Sequence, residues 1–277
     1  MDTVRIVDNT LVNIKKSENI ALSLQEKSKI VRLLDFMGAD IIDIGPTVYK
    51  KQLAALPRIN GMGLGFRITT WNVANFGDIC ASVNCGIKGV HISVPVSDIL
   101  IGHRIGKSRQ WVLDSVRNAI RCAADLGFGI SVGAEGASEA DWIFLVELAL
   151  LAEEMGAERF RFVDSSGIMN PEITFNEMKY LVTLLNMDLE FQGGNKNGMA
   201  AANTAAAVLA GFEYAVTAVG AQEDSAVCAD LKKFILTLKA NPQLSLRLRF
   251  NVINMLEKYL TGVTYGRSTE GKDISSG

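Results

Sequence analysis

Short apolar runs alternate with longer amphipathic stretches along most of the chain. VRIVD, ADIIDIG, MGLGFRI, GVHISVPVS, FGISVGAE, RFRFVDSS, MDLEFQG and EYAVTAVGA have the length and near-continuous hydrophobicity of strands buried on both faces, as in a parallel sheet. Helical spacing of apolar residues runs through LQEKSKIVRLLDFMG, SRQWVLDSVRNAIRCAADLG, EADWIFLVELALLAEEMGA and FNEMKYLVTLL. The alanine-rich segment after Gly198 and AVCADLKKFILTLKA read the same way. Gly38, Gly127, Gly156 and Gly211 each sit just past a helical stretch, where a left-handed cap favours glycine. The pattern counts to eight strand–helix units, which predicts an α/β fold closed as a TIM (β/α)8 barrel. A doubly wound open sheet is the competing arrangement. No proline- or serine-rich linker divides the chain, so residues 1–240 are read as one barrel. Residues 241–277 are read as a short helical extension, LRFNVINMLEKYL, and a polar tail expected to be mobile.

Composition agrees with a packed domain, since 48% of residues are hydrophobic and 21% charged. A net charge of −2 gives no electrostatic reason to expect nucleic acid or an anionic membrane as partner. No apolar run is long enough to span a bilayer, and the N-terminus, MDTVRIVDNTL, has no basic-then-apolar signal pattern, so a cytoplasmic location is expected. Cys80, Cys85, Cys122 and Cys228 lack CxxC spacing and read as reduced, mostly buried thiols.

Barrels of this kind bind ligands at the carboxyl ends of their strands. Asp8, Asp43, Arg67, Ser93, Glu135, Asp164 and the Gln192–Asn197 loop are placed there. Asp8 is a candidate oxygen ligand for a hard divalent ion. His91, within strand four, and His103, in a loop, are not spaced to chelate together, and both read as structural or solvated. Glu135 and Asp43 could serve as base or orient a hydroxyl, or could simply pair with neighbouring strand ends. Asp164 could cap the following turn. Arg67 could clamp a carboxylate or make a strand-to-strand ion pair. GMGLG at Gly61–Gly65 precedes a strand end instead of opening a helix, so it is not a dinucleotide fingerprint.

HISVPVSDILI, GKSRQWVLDSVRNAI, GISVGAEGASEAD, GAERFRFVDSSGIMNP and GMAAANTAAAVLAG together resemble the homocitrate synthases of the nitrogen-fixation type, within the isopropylmalate synthase superfamily. The likeness runs from VRIVDNTL almost to Lys239. It implies a TIM barrel whose relatives condense acetyl-CoA with a 2-oxo acid on a divalent metal (manganese, magnesium or zinc). Against the family's DTTLRDGEQ, Asp8 keeps the metal-ligand position, while Val12 stands in place of the arginine that engages the oxo acid. Against HxHNDxG the chain has Gln192, Gly193, Gly194, Asn195, Lys196, Asn197 and Gly198, so both imidazole ligands are replaced. The family's last ligand, an asparagine, falls on Val227. Asp43 lies where the family usually has glutamate, and Glu135 matches a family glutamate whose following aspartate is Gly136 here.

The resemblance therefore implies a homocitrate-synthase-like chain that has lost most of its metal and substrate groups. Glu135 is the candidate catalytic carboxylate, Asp8 the residual metal ligand, and Arg67, Ser93, Asn195 and Lys196 the candidate substrate- or anion-binding residues. No tightly held metal is expected. The expected role is an accessory subunit of a homocitrate synthase, with a related intact chain as hetero-oligomeric partner or a homodimer as the other arrangement. A chain active by itself through an altered site, or a small-molecule binder holding an anion at the GGNKNG loop, are the alternatives.

Overall fold

The computed structural model describes residues 2–18, 22–45, 55–221, 228–239, 241 and 243–270. Among them, eight parallel strands close into a barrel: β1 (Arg5–Asp8), β2 (Ile41–Ile44), β3 (Arg67–Val73), β4 (Gly89–Pro95), β5 (Gly129–Glu135), β6 (Arg159–Asp164), β7 (Asp188–Gly193) and β8 (Tyr214–Ala218). Closure comes from β8, which pairs with β1 along Tyr214–Thr217 and with β7 through Tyr214 and Ala215. An open sheet is thereby excluded. Ala229–Asp230 adds to β8 above the point where its pairing with β7 ends, and Asp2–Thr3 pairs with Leu244–Ser245 outside the barrel.

The helices form the outer ring: α1 (Thr10–Glu18), α2 (Leu24–Met37), α3 (Leu56–Asn60), α4 (Phe76–Val83), α5 (Arg109–Asp125), α6 (Trp142–Glu154), α7 (Pro171–Leu184), α8 (Ala200–Ala210), α9 (Leu231–Leu238) and α10 (Phe250–Glu270). The expected helices are present, and α1, α3 and α4 are added. The third strand differs from expectation. GMGLG forms turns and bends with Gly63 at φ 67°, and the strand begins at Arg67 and runs through TTWNV, where paired threonines favour extended backbone. The expected caps at Gly38, Gly127, Gly156 and Gly211 all have positive φ. At Gly38 a side chain is excluded twice, by φ 101° and because a Cβ would sit 2.6 Å from the Arg247 carbonyl oxygen. That approach seats α10 on α2: Val252, Ile253 and Leu256 bury with Ile30, Val31 and Leu34, and the Arg249 N–H donates to the Met37 carbonyl at 2.9 Å. The helix continues to Glu270, past Leu260 where the polar tail was expected to begin, and the rest of that expected tail, residues 271–277, lies outside the described set.

Strand alternation divides the barrel into two environments. In RFRF of β6, Phe160 and Phe162 point outward into a large apolar cluster with α5, α6 and α7 residues. Arg159 and Arg161 point inward, 2% and 1% exposed. On β7, Phe191 stacks on Phe162 outside while Glu190 faces inward, fully buried. The Glu190 carboxylate accepts both guanidiniums: Arg159 Nε bonds Oε1, and Arg161 Nε bonds Oε2 at 2.6 Å. Arg161 Nη1 continues to Asp43 Oδ2 on β2 at 2.7 Å. Beside them the His91 Nδ1 and the Ser131 hydroxyl share a hydrogen bond at 3.0 Å. Tyr214, Val7, Ile41 and Val216 form the small apolar remainder of the interior.

Burial alone would raise the Glu190 carboxyl, but the Arg161 and Arg159 guanidiniums overcome it and hold its pKa at about 2, against an ordinary 4.5. The folded-state value is depressed, so this stabilisation is complete above the unfolded pKa and is lost as pH falls from about 4.5 towards about 2. Replacing Glu190 by Gln leaves two buried guanidiniums short of countercharge and is expected to cost about 3–5 kcal/mol. Removing the exposed Arg117–Asp114 pair by Arg117→Ala is expected to cost under about 1 kcal/mol. Urea denaturation of both variants at neutral pH checks the ranking; equal midpoints would mean that the charge chain does not hold the barrel.

Candidate functional site

The carboxyl ends of the strands form one mouth, and most of the expected side chains reach it. Asp8 ends β1 and is fully buried. Its Oδ1 accepts the Thr10 N–H at 3.0 Å and its Oδ2 the Thr10 hydroxyl at 2.9 Å. The Thr10 hydroxyl oxygen in turn accepts the Val219 N–H, tying the end of β1 to the loop after β8. Burial raises the Asp8 pKa to about 7; the Thr10 bonds oppose this and the neighbouring Asp43 adds to it. A metal would therefore compete with a proton for this carboxylate near neutral pH.

Asp43 is committed to Arg161 through Oδ2, while its buried Oδ1 has no hydrogen-bond partner. Burial pushes its carboxyl up despite the guanidinium. Arg161 Nη1 also approaches Gln192 Oε1 at 3.4 Å. Glu135 ends β5 with both oxygens engaged, accepting the Ser93 hydroxyl at 2.8 Å and Arg104 Nη1 at 2.7 Å. Asp164 caps its own loop: Oδ1 accepts the Ser138 hydroxyl and the Ile168 N–H, and Oδ2 accepts the Met169 N–H. Val12 is buried, and Val12 Cγ2 and Trp71 Cβ both lie just over 3 Å from where a Gly45 Cβ would be, at 3.2 and 3.1 Å. A buried valine thus stands beside Gly45 at the position that the resemblance gives to arginine.

The glycine- and amide-rich loop after β7 is folded against the loop after β6. The Gly194 N–H donates to the Asp164 carbonyl at 2.9 Å. A Cβ on Gly194 would lie 2.4 Å from that oxygen and 2.9 Å from the Gly167 nitrogen. Such contacts are far inside van der Waals range, so the backbone would have to move to admit any side chain. The Gly198 N–H donates to the Asn195 carbonyl and the Ala200 N–H to Asn195 Oδ1. Three donors of a prospective anion cradle are therefore turned to protein acceptors, with Lys196 exposed beside them.

Arg67 does not belong to this mouth. Because β3 starts at Arg67, the side chain stands at the opposite end of the barrel, ion-paired with Glu158 at 2.5 Å. His91 is buried in the barrel interior, where burial and then Arg161 hold its pKa well below the ordinary range. His103 is exposed in the turn Leu100–Arg104. Val227 lies outside the described residues.

Arg104, Arg161 and Glu190 were not singled out from the sequence, although RFRF and LEF carry a usable signal. A charge at every second position of a strand buried on both faces must point into the barrel and find a partner there. The divalent metal implied by the resemblance does not fit the described side chains. Asp8 is held by Thr10, Asp43 by Arg161 and Glu135 by Ser93 and Arg104, and Gly194 has no donor. Among the described residues no group of three or more His, Cys, Asp or Glu is arranged to hold a metal ion.

The sequence profile of the HMGL-like family matches residues 3–258. The chain belongs to the HMGL-like family. It is 36% identical over 237 residues to 2-isopropylmalate synthase 2 of Caldanaerobacter subterraneus subsp. tengcongensis, covering 85% of this chain and 62% of the relative. To homocitrate synthase 1 of Nostoc sp. it is 35% identical over 240 residues, covering 86% and 64%. It thus spans less than two thirds of both relatives. The homocitrate synthase subunit alpha of Clostridium pasteurianum is 32% identical over 237 residues, covering 85% of this chain and 88% of that one. In fold, this HMGL-like barrel matches an HMG-CoA lyase from Brucella melitensis with a TM-score of 0.81 at 13% identity, over 96% of this chain and 100% of that one. Among the described residues no helix is long and apolar enough to cross a membrane.

His91 fills the interior so closely that a Cβ on Gly133 would lie 2.5 Å from its Nε2. Gly133→Ala is expected to destabilise the HMGL-like barrel by about 1–3 kcal/mol through overpacking. His91→Ala in the same chain should recover part of that loss, because the two changes share one contact. A thermal-denaturation cycle of the single and double variants measures the coupling. Additive losses would show that the two positions do not compete for the same space.

Proposed function

We propose that this HMGL-like chain is a non-catalytic or accessory subunit of a homocitrate synthase, working with a related chain whose site is intact. The observation that carries the reading is the closure of the loop after β7, with Gly194 packed against the Asp164 and Gly167 backbone where the resemblance implies a metal-binding imidazole. The two rim carboxylates support it, since Asp43 and Glu135 are engaged by the chain's own arginines. That a relative of similar length is called a subunit alpha supports a divided enzyme.

The chemistry follows from these contacts. In its relatives a divalent ion would polarise the oxo group and an arginine would clamp its carboxylate. Here Val12 offers no donors, and Arg161, which pairs with Asp43, is engaged by Glu190 and Asp43. Losing both contributions lowers the condensation rate by orders of magnitude. The barrel is left able to fold and to present its surface to a partner, with the reacting groups supplied by that partner.

The purified chain is expected to release no CoA from acetyl-CoA and 2-oxoglutarate in saturating manganese or magnesium. Co-expression with a chain carrying intact DTTLRDGEQ and HxHND motifs is expected to give a co-purifying complex that does. Robust turnover by the lone chain would overturn the accessory reading in favour of an altered self-sufficient site. Gln192→His combined with Gly194→His is expected not to create tight manganese binding, because the Cβ at position 194 has no room; isothermal titration with manganese checks this, and tight binding would refute the closure argument.

A further inference from the structure

Asparagine is followed by glycine twice in the chain, at Asn60–Gly61 and at Asn197–Gly198. Glycine has no Cβ to crowd its own nitrogen, so that nitrogen can attack the preceding side-chain carbonyl and expel the amide as ammonia. The fold treats the two dipeptides differently. Asn60 ends α3, where helical backbone directs the Gly61 N–H to the Pro57 carbonyl at 3.0 Å. Its side chain is anchored as well, with Nδ2 donating to the Gly86 carbonyl at 2.9 Å. Ring closure at Asn60 requires both bonds to break and the helical turn to open. Asn197 instead stands in the exposed turn after β7, between Lys196 and Gly198. Its side-chain amide has no hydrogen-bond partner among the described residues. Gly198 has φ 71°, and a Cβ there would meet nothing within 4 Å, so the turn has open space around it. One bond restrains the attacking nitrogen, from the Gly198 N–H to the Asn195 carbonyl at 3.0 Å, and it belongs to a surface turn that opens at low cost.

We infer that Asn197 is a self-modifying position at the barrel mouth, where the folded chain converts the side-chain amide to a carboxylate through a cyclic imide. The Gly198 backbone nitrogen bonds to Asn197 Cγ as the Cγ–Nδ2 bond breaks. The departing amide takes the proton of the Gly198 N–H and leaves as ammonia. Water, the one co-reactant, then opens the five-membered ring at either carbonyl, giving aspartate or iso-aspartate. Both products place a carboxylate beside Lys196 and offset its ammonium. The iso-aspartyl form also routes the backbone through the former side chain. That adds one carbon to the turn in which Asn195 Oδ1 accepts the Ala200 N–H at the start of α8. The charge of the mouth therefore changes with the age of the chain, and an anion drawn to Lys196 would be held less firmly after conversion. This inference does not depend on the accessory-subunit reading, because the reaction needs no ligand and no partner.

The test holds the intact folded chain in mildly alkaline buffer at physiological temperature, beside a sample unfolded in guanidinium chloride. Peptide mass mapping over time follows amide-to-acid conversion at both dipeptides. In the unfolded sample the two are expected to convert at similar rates. In the folded chain Asn197 should stay within about tenfold of its unfolded rate, while Asn60 slows at least about tenfold further, because its backbone must open locally before it can react. On isoelectric focusing the converted protein should run with the Asn197→Asp variant. Gly198→Ala should slow conversion at Asn197 by at least about tenfold, since a Cβ crowds the attacking nitrogen. An unchanged rate in Gly198→Ala would overturn the cyclic route. Folded wild-type protein in which Asn197 is as protected as Asn60, or in which Asn60 converts first, would overturn the inference, and that time course needs no variant to fold.

Discussion

Glu190 receives Arg159 on one carboxylate oxygen and Arg161 on the other, and Arg161 reaches across the interior to Asp43. These four charges occupy space that bulky branched side chains fill in many barrels of this architecture. Their contribution is best understood through register. Shifting β7 by one residue against β6 would send Glu190 out among the helices and bring Phe191 inside. The two guanidiniums would then have Asp43 as their one buried countercharge. The pairing of Arg161 with Glu190, directly opposite each other in the sheet, penalises any such slip far more than an apolar layer would.

The same chain of charges shapes the mouth above it. Asp43 stands at the carboxyl end of β2, where a carboxylate could face a ligand, but its Oδ2 serves Arg161. Gln192 lies within reach of the same guanidinium. Glu135 is neutralised from the other side by Arg104, a residue of the turn after β4. A carboxylate oxygen that accepts from arginine is a poorer metal ligand, since coordination requires breaking a charge-assisted bond. Interior stability and mouth chemistry therefore draw on the same carboxylates.

Much of this architecture was legible in the sequence, for a physical reason. Strands buried on both faces and helices buried on one leave different hydrophobic periods, and glycines with positive φ end α2, α5, α6 and α8 where the pattern ends. The third strand was misplaced because GMGLGFRI is as apolar as a strand, while the true strand, RITTWNV, is diluted by polar side chains. That shift alone carried Arg67 from the mouth to the base of the barrel. Positions at the mouth were legible for Asp8, Ser93 and Glu135, which end clear strands. The arginine partners of Glu135 and Asp43 were not, because Arg104 and Arg161 reach them from segments distant in sequence. Nor could the sequence reveal that Gly194 is pinned by the Asp164 carbonyl, since loop-to-loop contact leaves no periodic trace.

Fold and mouth rest on separate interactions, and this separation has a consequence for how the chain can vary. Val12, Gln192 and Gly194 belong to neither of the large apolar clusters between strands and helices. The electrostatics of the interior are less permissive. Two fixed guanidiniums face Glu190 and Asp43, and Asp8 holds its proton up to a pH of about 7. Among the described buried carboxylates, a divalent cation entering from above would find one oxygen without a hydrogen-bond partner, Asp43 Oδ1, and at Asp8 or Glu135 would have to displace a proton or a guanidinium. Displacing Arg161 from Asp43 strips a buried guanidinium of one of its two countercharges, at several kcal/mol. Restoring metal chemistry to this barrel therefore requires more than returning the missing ligands. The charge chain beneath them would have to be rebuilt, because it now closes on itself without the ion.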